Sequence, residues 1–380
     1  MKKIKIAIIT DWLTSFGGAE RVISSFAKIF PTASIFTTVF VPDKLNQLQN
    51  FFPRIKTSNL QKLPKFIRKK HPFLFPFLPG AVENFDFSDF DVLLSSSSFV
   101  SKFAISNPNQ LHICFCHSPP RYLWENWQQY LKDFPIPKIF KNFLPSLFSK
   151  FRVWDYFAAQ RPDKIIANSK FIAQQIKKFY RRDIDEIISP PVNFDYFSTG
   201  INFEKKNYFV AVARLVPQKK IEILIDAFLK MPTENLKIVG DGYLKKKLIS
   251  RSNNAKNIQF LGQVSEKKLP QILGSARAFF HPQIEDAGIS ILESLSAGTP
   301  IIGFNRGGIL TISEKNKIGV LFDKQSVSKI ISAIFEFKKI EKSFNRKNLQ
   351  TIAEKFSSQN FEKKISQFIE KSFCKFRKSL

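Results

Sequence analysis

Short apolar runs alternate with segments of helical periodicity along the whole chain, and this alternation occurs once in each half. Such a pattern is typical of α/β proteins in which helices join parallel strands. Because 380 residues exceed what one hydrophobic core usually serves, the two series predict two α/β domains. The predicted strands are 4–9, 33–40, 91–95, 110–116 and 164–167 in the first half, and 208–213, 236–239, 258–261, 278–281, 300–304 and 319–322 in the second.

The domain boundary is predicted where a Pro-Pro pair at 190–191 ends the first series and a Ser-Thr-Gly stretch follows at 198–200. The last segment of the chain has two interpretations: a helix that crosses back to the first domain, or a basic helix that faces a membrane. Open parallel sheets bind ligands beyond the carboxyl ends of their strands, so we expect a ligand between the domains. The predicted parts are a first domain at 1–194, a linker at 195–206, a second domain at 207–355 and a C-terminal helix at 356–380.

Several classes of protein are excluded by simple features. The apolar run at 72–82 contains two prolines and is too short for a membrane-spanning helix, and the N-terminal apolar run ends at Ile9, too early for a secretory signal. Three cysteines do not make a disulfide framework, so we expect reduced thiols and a cytoplasmic protein. The turn at Gly17 and Gly18 lacks the three-glycine dinucleotide fingerprint and gives no support to a nicotinamide enzyme.

The chain has 59 Lys and Arg residues against 31 Asp and Glu residues, a net charge of +28 that predicts attraction to phosphate-rich partners. Segment 54–70 is basic without any acid and is interleaved with apolar side chains. This is typical of a membrane-surface segment, but the general Lys, Ile, Phe and Asn bias of the chain explains it equally well. No zinc-finger, RNP or basic-zipper pattern is present, so nucleic acid is not an expected partner. The basic residues of the segment are Arg54, Lys56, Lys62, Lys65, Arg68, Lys69 and Lys70, and the apolar ones are Leu60, Leu63, Phe66 and Ile67.

A polar segment in the second half carries acidic residues on both sides of a predicted helix start. A strand ends near His281, a loop contains Glu285 and Asp286, and the helix starts near Gly288. The unpaired N–H groups at a helix start favour an anion such as phosphate. Glu285 and Glu293 suit hydrogen bonds to the hydroxyl groups of a sugar and a ribose, although acids near helix starts are also common on ordinary surfaces.

Two cations follow the first predicted strand of the second half. Arg214 and Lys219 lie in a loop at the carboxyl end of that strand. They suffice to neutralise a diphosphate without a metal ion, although a solvated loop in a basic chain is the alternative. The histidines and cysteines of 112–117 lie on one strand and cannot surround a tetrahedral ion, so we expect no metal.

The chain resembles the retaining glycosyltransferases of the GT-B fold, family 4. Its segments occur along the chain in the same order as in that family. Glu285 and Glu293, with seven residues between them, match that family's hallmark. The Cys-His-Ser-Pro-Pro-Arg-Tyr-Leu-Trp run at 116–124 is similar to that of mannosyltransferases that build O-antigen and related surface polysaccharides. Ala287 stands where the family usually has an aromatic residue, which implies a larger donor pocket. Further matching segments are 17–21, 154–155, 167–169, 190–192, 239–242 and 307–308.

The resemblance implies a fold and a catalytic set. The fold would be two Rossmann-like domains facing each other across a donor cleft. Arg214 and Lys219 would bind the donor diphosphate, Glu285 would hold the transferred sugar, and His117 would face that sugar from the first domain. Glu293 would hold the ribose hydroxyls. The other implied positions are Gly18, Gly240, Asp286, Gly288, Ile289 and Ser290 on the donor side, and Arg21, Arg121, Tyr122 and Trp124 on the acceptor side, where the two aromatic residues stack on sugar or pack in the core.

The implied reaction is transfer of a hexose, mannose from GDP-mannose, to a lipid-linked or saccharide acceptor in surface polysaccharide or glycolipid synthesis. It would use a nucleotide sugar as co-substrate, need no cofactor or metal, and take place in the cytoplasm, at the inner face of the plasma membrane if the basic segment binds anionic lipid. The rivals are the same reaction with a UDP-sugar, another GT-B enzyme such as a nucleotide-sugar epimerase or a phosphorylase, and a non-catalytic basic membrane-binding protein. The last would be expected to lack Arg214, Lys219, Glu285 or Glu293, and all four are present.

Overall fold

The computed structural model describes residues 4–69, 74–125, 127–128 and 144–380. Packing divides the chain into a first unit, Met1–Pro191 with Phe361–Leu380, and a second unit, Val192–Asn360. Each unit is built on a parallel sheet with helices between the strands. The two units are the pair of α/β domains that the sequence pattern predicts. Lys70 of the basic segment and the start of the apolar run at 72–82 lie outside the described residues.

In the described part of the first unit, seven parallel strands form one sheet in the order β3-β2-β1-β4-β5-β6-β7. Strands β4 and β5 lie at its centre, and every side chain in them is buried, as expected for strands covered on both faces. The strands are β1 Ile6–Thr10, β2 Ser34–Thr37, β3 Ile55–Thr57, β4 Val92–Ser97, β5 Leu111–Cys116, β6 Lys164–Ala167 and β7 Glu186–Ile187.

The last helix of the chain packs on the first unit. Phe361, Ile365 and Ile369 lie in the core of that unit, and the Phe361 ring stacks on Phe26 at 6.0 Å between centroids. The helix therefore crosses back to the first unit, as one of the two interpretations of this segment predicted. Its apolar side chains pack against the core of that unit and do not form a separate face for a membrane. The helices of this unit are α1 Gly18–Ile29, α2 Lys65–Lys69, α3 Leu78–Glu83, α4 Arg121–Trp124, α5 Leu144–Ala158, α6 Lys170–Tyr180 and, at the end of the chain, α15 Ser358–Ser379.

The second unit has a six-stranded parallel sheet in the order β10-β9-β8-β11-β12-β13. Its strand order reverses direction beside β8, where open α/β sheets place a ligand crevice. The strands are β8 Phe209–Val212, β9 Leu236–Val239, β10 Ile258–Gly262, β11 Phe279–His281, β12 Ile301–Phe304 and β13 Gly319–Phe322. The helices are α7 Phe194–Ser198, α8 Ile221–Leu229, α9 Lys245–Arg251, α10 Leu269–Ser275, α11 Ile289–Ser296, α12 Ile309–Ser313, α13 Val327–Ile340 and α14 Arg346–Glu354.

Residues 195–206, which the sequence suggested as a linker, form part of the second unit. The Arg346 guanidinium donates hydrogen bonds to the carbonyls of Phe203 (2.8 Å) and Gly200 (2.9 Å), which fixes this stretch against α14. The two ends of the unit also meet, because Val192 N–H donates to Phe356 O at 3.0 Å and Val192 pairs with Ser357 in a parallel bridge. A Ser-Thr-Gly stretch therefore need not be a loose connection.

The basic segment at 54–70 is divided among several short elements rather than forming one surface helix. The Arg54 guanidinium caps the end of α1 by donating to Ala27, Phe30 and Ala33 carbonyls at 3.0–3.2 Å. Leu60, Leu63 and Ile67 pack against the core, whereas Phe66 is 68% exposed. Among the residues described, no helix combines the length and apolar composition needed to cross a bilayer.

Protonation of His112 should make the first unit less stable in acid. Its ring is fully buried with Nε2 at 2.9 Å from Ser95 Oγ, and burial lowers its pKa to about 3. The unfolded side chain binds a proton near pH 6.5 and the folded one does not, so stability is present above that pH and is lost as the pH falls. We expect a loss of about 2 kcal/mol between pH 6.5 and 5 from this group.

Urea unfolding of wild type and His112→Gln at pH 7 and pH 5 measures this effect. The variant should be less stable at pH 7 but should lose about 2 kcal/mol less than wild type on acidification. An identical pH dependence in the two proteins would show that His112 is not the group concerned.

Candidate active site

The loop after β8 carries Arg214 and Lys219 at the carboxyl edge of the second sheet. Backbone hydrogen bonds join it to the loop after β9: Leu215 N–H donates to Asp241 O at 2.9 Å, and Leu244 N–H donates to Leu215 O at 3.1 Å. Gly240 has a φ of +129°, and a Cβ at this position would lie 1.9 Å from Ala213 O. Gly240 is therefore required for the contact between the two loops, and it positions the cationic loop through its backbone.

The loop after β11 brings an acid to this cation. Lys219 Nζ donates to Glu285 Oε1 in an ion pair, and Gln283 Nε2 donates to the same oxygen at 3.2 Å. Gln283 Nε2 also lies 3.3 Å from His281 Nδ1, so four side chains form one cluster. Two residues that the sequence assigned to phosphate and to sugar are thus direct neighbours.

The electrostatics of the cluster keep Glu285 ionised and His281 neutral. Burial raises the pKa of Glu285, but the Lys219 ammonium, aided by His281 and Gln283, outweighs burial and brings the pKa to about 2. Burial lowers the pKa of His281 to about 4. At neutral pH, the ionised Glu285 therefore accepts hydrogen bonds from Lys219 and Gln283 through Oε1 and adds a negative charge beside Lys219.

Helix α11 begins directly after this cluster. Gly288 is its N-cap, with φ 74° and ψ 38°, a left-handed conformation in which a side chain is strained. The N–H groups of Ile291 and Leu292 bond back to Gly288 O, whereas those of Ile289 and Ser290 find no acceptor within the described backbone. Such free N–H groups and the helix dipole favour an anion at this end. Glu293, one turn later, is buried.

The Gly-Gly turn at 307–308 supports the acidic loop from the other side. Gly308 N–H donates to Glu285 O at 2.7 Å, and Gly307 pairs with Glu285 in a parallel bridge. The backbone of Glu285 is therefore held by the loop that follows β12, while its side chain is held by Lys219. All predicted donor-side residues of the second unit lie along the carboxyl edge of its sheet.

In the first unit, Gly18 and His117 follow β1 and β5, two strands separated by β4 in the sheet. Between them, the Asp11 carboxylate accepts N–H hydrogen bonds from Ser98, Phe99 and Ser101 at 2.7–2.9 Å. Asp11 thereby fixes the loop after β4. The predicted first-unit residues that follow β1 and β5 therefore also share a carboxyl edge.

His117 is held at three points. Its Nε2 lies 2.7 Å from Ser96 Oγ, its carbonyl accepts from Asn168 Nδ2 at 2.7 Å, and its ring contacts Phe115 edge-on. Burial lowers its pKa to about 4, so the imidazole is neutral at physiological pH. A neutral imidazole in a fixed orientation can donate or accept a hydrogen bond, but it supplies no charge.

The aromatic residues expected on the acceptor side pack in the core. Trp124 stacks on Phe179 at 5.4 Å, and its Nε1 donates to the buried Asp155 at 2.7 Å. Tyr122 stacks on Phe75 at 5.3 Å between ring centroids. The two interpretations of these rings were stacking on sugar and packing in the core. The contacts in the structure support packing in the core.

The remaining acceptor-side candidates are Arg21 and Arg121. Arg121 Nε pairs with Glu125 at 3.1 Å, and Glu125 also accepts from Gln175. Arg21 lies in the first turn of α1, where its N–H bonds to Gly17 O. Sequence reasoning missed Gln283, although its place two residues before Glu285 in an extended stretch puts both side chains on the same side of the chain.

Comparison with known proteins gives matches to two glycosyltransferase families. Residues 16–196 match the family described as "Glycosyltransferase Family 4", and residues 195–356 match "Glycosyl transferases group 1". Together the matches cover residues 16–356, which include every predicted site residue. The chain belongs to glycosyltransferase family 4. Its two parallel α/β units are the Rossmann-like domains of the GT-B fold.

Individual relatives of this family 4 glycosyltransferase are distant. The chain is 29% identical over 212 residues to an uncharacterized glycosyltransferase of Methanocaldococcus jannaschii (55% of this chain, 58% of the relative). It is 32% identical over 142 residues to the GDP-mannose-dependent alpha-(1-6)-phosphatidylinositol monomannoside mannosyltransferase of Mycobacterium tuberculosis (33% and 37%). The matches thus span less than two thirds of these relatives.

Among solved structures, Anabaena Alr3699/HepE in complex with UDP and glucose superposes with a TM-score of 0.70. The identity is 18%, and the superposition covers 97% of this chain and 100% of the Anabaena chain. At this identity the likeness concerns the fold, and it extends over both units.

Proposed function

We propose that the chain is a retaining glycosyltransferase that moves mannose from GDP-mannose to a lipid-linked or saccharide acceptor in the synthesis of a surface polysaccharide or glycolipid. The observation that carries this function is the Lys219–Glu285 pair beside the free N–H groups of α11, with Glu293 buried one turn later. At one sheet edge, the Lys219 cation and the helix start suit the diphosphate of a nucleotide sugar, the Glu285 carboxylate suits its hexose, and the Glu293 carboxylate suits its ribose.

In this function Lys219 exchanges partners when the donor binds. The diphosphate takes the ammonium together with Arg214 and the N–H groups of Ile289 and Ser290, and these groups stabilise the charge that develops on the leaving nucleoside diphosphate. Glu285 is then free to accept hydrogen bonds from hydroxyls of the transferred sugar. Glu293 accepts from the ribose hydroxyls.

Retention of configuration and metal independence belong to the same proposal. Retention rests on the family resemblance, with the acceptor attacking on the face that the leaving group departs from. Independence from metal rests on the two cations of the β8 loop, which together offset the two charges of a diphosphate. His117, as a neutral imidazole, would contact the sugar from the first unit.

Contact with an anionic membrane is proposed because the acceptor is proposed to be lipid-linked. The net charge of +28 supports it, as does the exposed ring of Phe66, which lies beside Lys65 in the basic segment. Exposed aromatic rings near basic side chains enter the interface of anionic bilayers. The location would then be the inner face of the plasma membrane.

A thermal-shift panel tests the donor assignment. GDP, UDP, ADP and their common sugar conjugates are added with EDTA to wild type, Arg214→Ala and Glu293→Ala. At about a hundredfold excess over Kd, a ligand of the folded state adds about 2.7 kcal/mol, or roughly 5–10 °C for a unit of this size. We expect GDP-mannose to raise the melting temperature of the wild type more than the other nucleotides do. In both variants GDP-mannose should change the melting temperature little.

Lys329→Ala serves as the control, because Lys329 pairs with the exposed Asp323 at 2.9 Å on the surface. It should keep the full shift. A shift selective for a UDP-sugar would reassign the donor, and no shift with any nucleotide would overturn the transferase function in favour of membrane binding.

A further inference from the structure

A cleft away from the candidate active site lies within the first unit, between edge strand β7 and helix α15, with a volume of about 490 Å³. One wall is the exposed side of α15 and carries Lys364, Lys371 and Lys375. The other wall carries Asp185 and Glu186 of the β7 region. None of these residues belongs to the family motifs or to the candidate active site.

The three lysines are directed to the cleft by the packing of their helix. Because Phe361, Ile365 and Ile369 are buried in the core, α15 has a fixed rotation about its axis. Positions 364, 371 and 375 then fall on one face, within about 16 Å at a rise of ~1.5 Å per residue. Within the described part of the chain, none of the three has a carboxylate partner.

The opposite wall does not cancel this charge. Asp185 is already neutralised, since Oδ1 binds Lys164 Nζ at 2.8 Å and Oδ2 accepts Ile165 N–H at 2.8 Å. Glu186 is exposed, and its Oε1 lies 3.3 Å from Ile187 N–H. Four lysines against two acids leave the cleft with a charge of +2. Such a site attracts an anion of more than one charge.

We propose that this cleft binds an anion with two or more phosphate groups. Ammonium groups are compact, mobile donors that suit phosphate oxygens. A lysine side chain extends about 6 Å from its backbone, and the three positions span about 16 Å of the helix. The three ammonium groups therefore contact two linked phosphate groups more readily than a single phosphate group. Such a ligand is available in two forms, as a phosphorylated lipid headgroup or as a soluble oligophosphate. The site is independent of the proposed transferase function.

The test compares two charge-matched triple variants in an Arg214→Ala background, which weakens phosphate binding at the candidate donor site. The cleft variant is K364E/K371E/K375E. The control is K363E/R377E/K378E, which changes three exposed basic residues of the same helix that do not line the cleft. Both variants change the net charge by the same amount, so a general effect of charge appears in both.

Two probes distinguish the sources of phosphate. Inorganic tripolyphosphate is titrated calorimetrically, and vesicles of phosphatidylcholine with phosphatidylinositol 4-phosphate, a lipid whose headgroup region carries two phosphate groups, are used in flotation. For the probe that binds, we expect the cleft variant to weaken affinity by about a hundredfold, since each basic side chain near an anionic surface is worth roughly a factor of five. The control should stay within about fivefold of its parent.

Binding of tripolyphosphate supports a soluble ligand, and binding of vesicles alone supports a lipid headgroup. Equal loss in both triple variants, or no binding of either probe by the Arg214→Ala parent, would overturn the cleft site. Melting temperatures of the three proteins, compared without ligand, show whether the glutamates have disturbed α15. The proposal predicts that the cleft variant has the same melting temperature as its parent and no longer binds the probe.

Discussion

Lys219→Ala should lower kcat/KM for donor turnover by about 100- to 1000-fold, because it removes a fixed cation from the position where we propose that the leaving diphosphate gains charge. This lysine is also the partner that holds Glu285 ionised. Its removal leaves the carboxylate with Gln283 as hydrogen-bond donor, and the pKa of Glu285 should rise. The rate is measured as release of nucleoside diphosphate, with EDTA present.

A double variant separates the two effects of this substitution. If the loss came only from an unpaired carboxylate, Lys219→Ala combined with Glu285→Gln would restore activity, since glutamine carries no charge. We expect no restoration, because both side chains are proposed to contact the donor. Lys329→Ala should be as active as wild type, and near-normal turnover by Lys219→Ala would contradict the assignment.

Asp155→Asn should lower the melting temperature of the first unit by roughly 10 °C. Asp155 is fully buried, pairs with Lys102 at 2.5 Å, and accepts from Trp124 Nε1 and Tyr180 OH at 2.7 and 2.8 Å. Removing one partner of a buried ion pair leaves the other charge without compensation, at a cost of about 3–5 kcal/mol. A drop of a degree or two would show that Lys102 is solvated or differently paired.

A second substitution tests whether the loss of stability comes from the unpaired charge of Lys102. Lys102→Met in the Asp155→Asn background removes the stranded cation, while the asparagine oxygen still accepts from Trp124 and Tyr180. We expect most of the lost stability to return. The exposed pair Lys177–Asp183, at 3.0 Å, is the surface control, and Asp183→Asn should cost no more than about 1 kcal/mol.

The sequence was sufficient for the strands of the second sheet and for the interior strands of the first, but not for the two strands at the edges of the first sheet. Strands such as β6 and β9 are short apolar runs bounded by polar residues, and their observed limits match the predicted ones. Edge strands β3 and β7 were missed because they have only three and two residues and carry polar side chains. Pairing with a neighbouring strand creates them, and that pairing is not a local property of the sequence.

At the candidate site, spacing predicted which residues follow the strands but not what they contact. Glu285 and Lys219 are 66 residues apart, and their ion pair depends on two loops meeting at one sheet edge. On α5, Trp154 is 43% exposed while the adjacent Asp155 is fully buried, the reverse of their polarities. Lys102, from another part of the chain, makes this arrangement stable. Hydropathy alone cannot predict a buried charge whose partner is distant in sequence.

The hydrogen-bonded ends of the second unit have a practical consequence. The chain leaves the first unit at Pro191 and returns at Phe361, and the bond from Val192 to Phe356 closes the intervening segment on itself. A segment closed in this way is an inserted domain, which can be exchanged between homologous enzymes with two cuts and no change in the length of the host. Chimeras made at these positions would transfer donor preference as one piece while the host keeps its own acceptor.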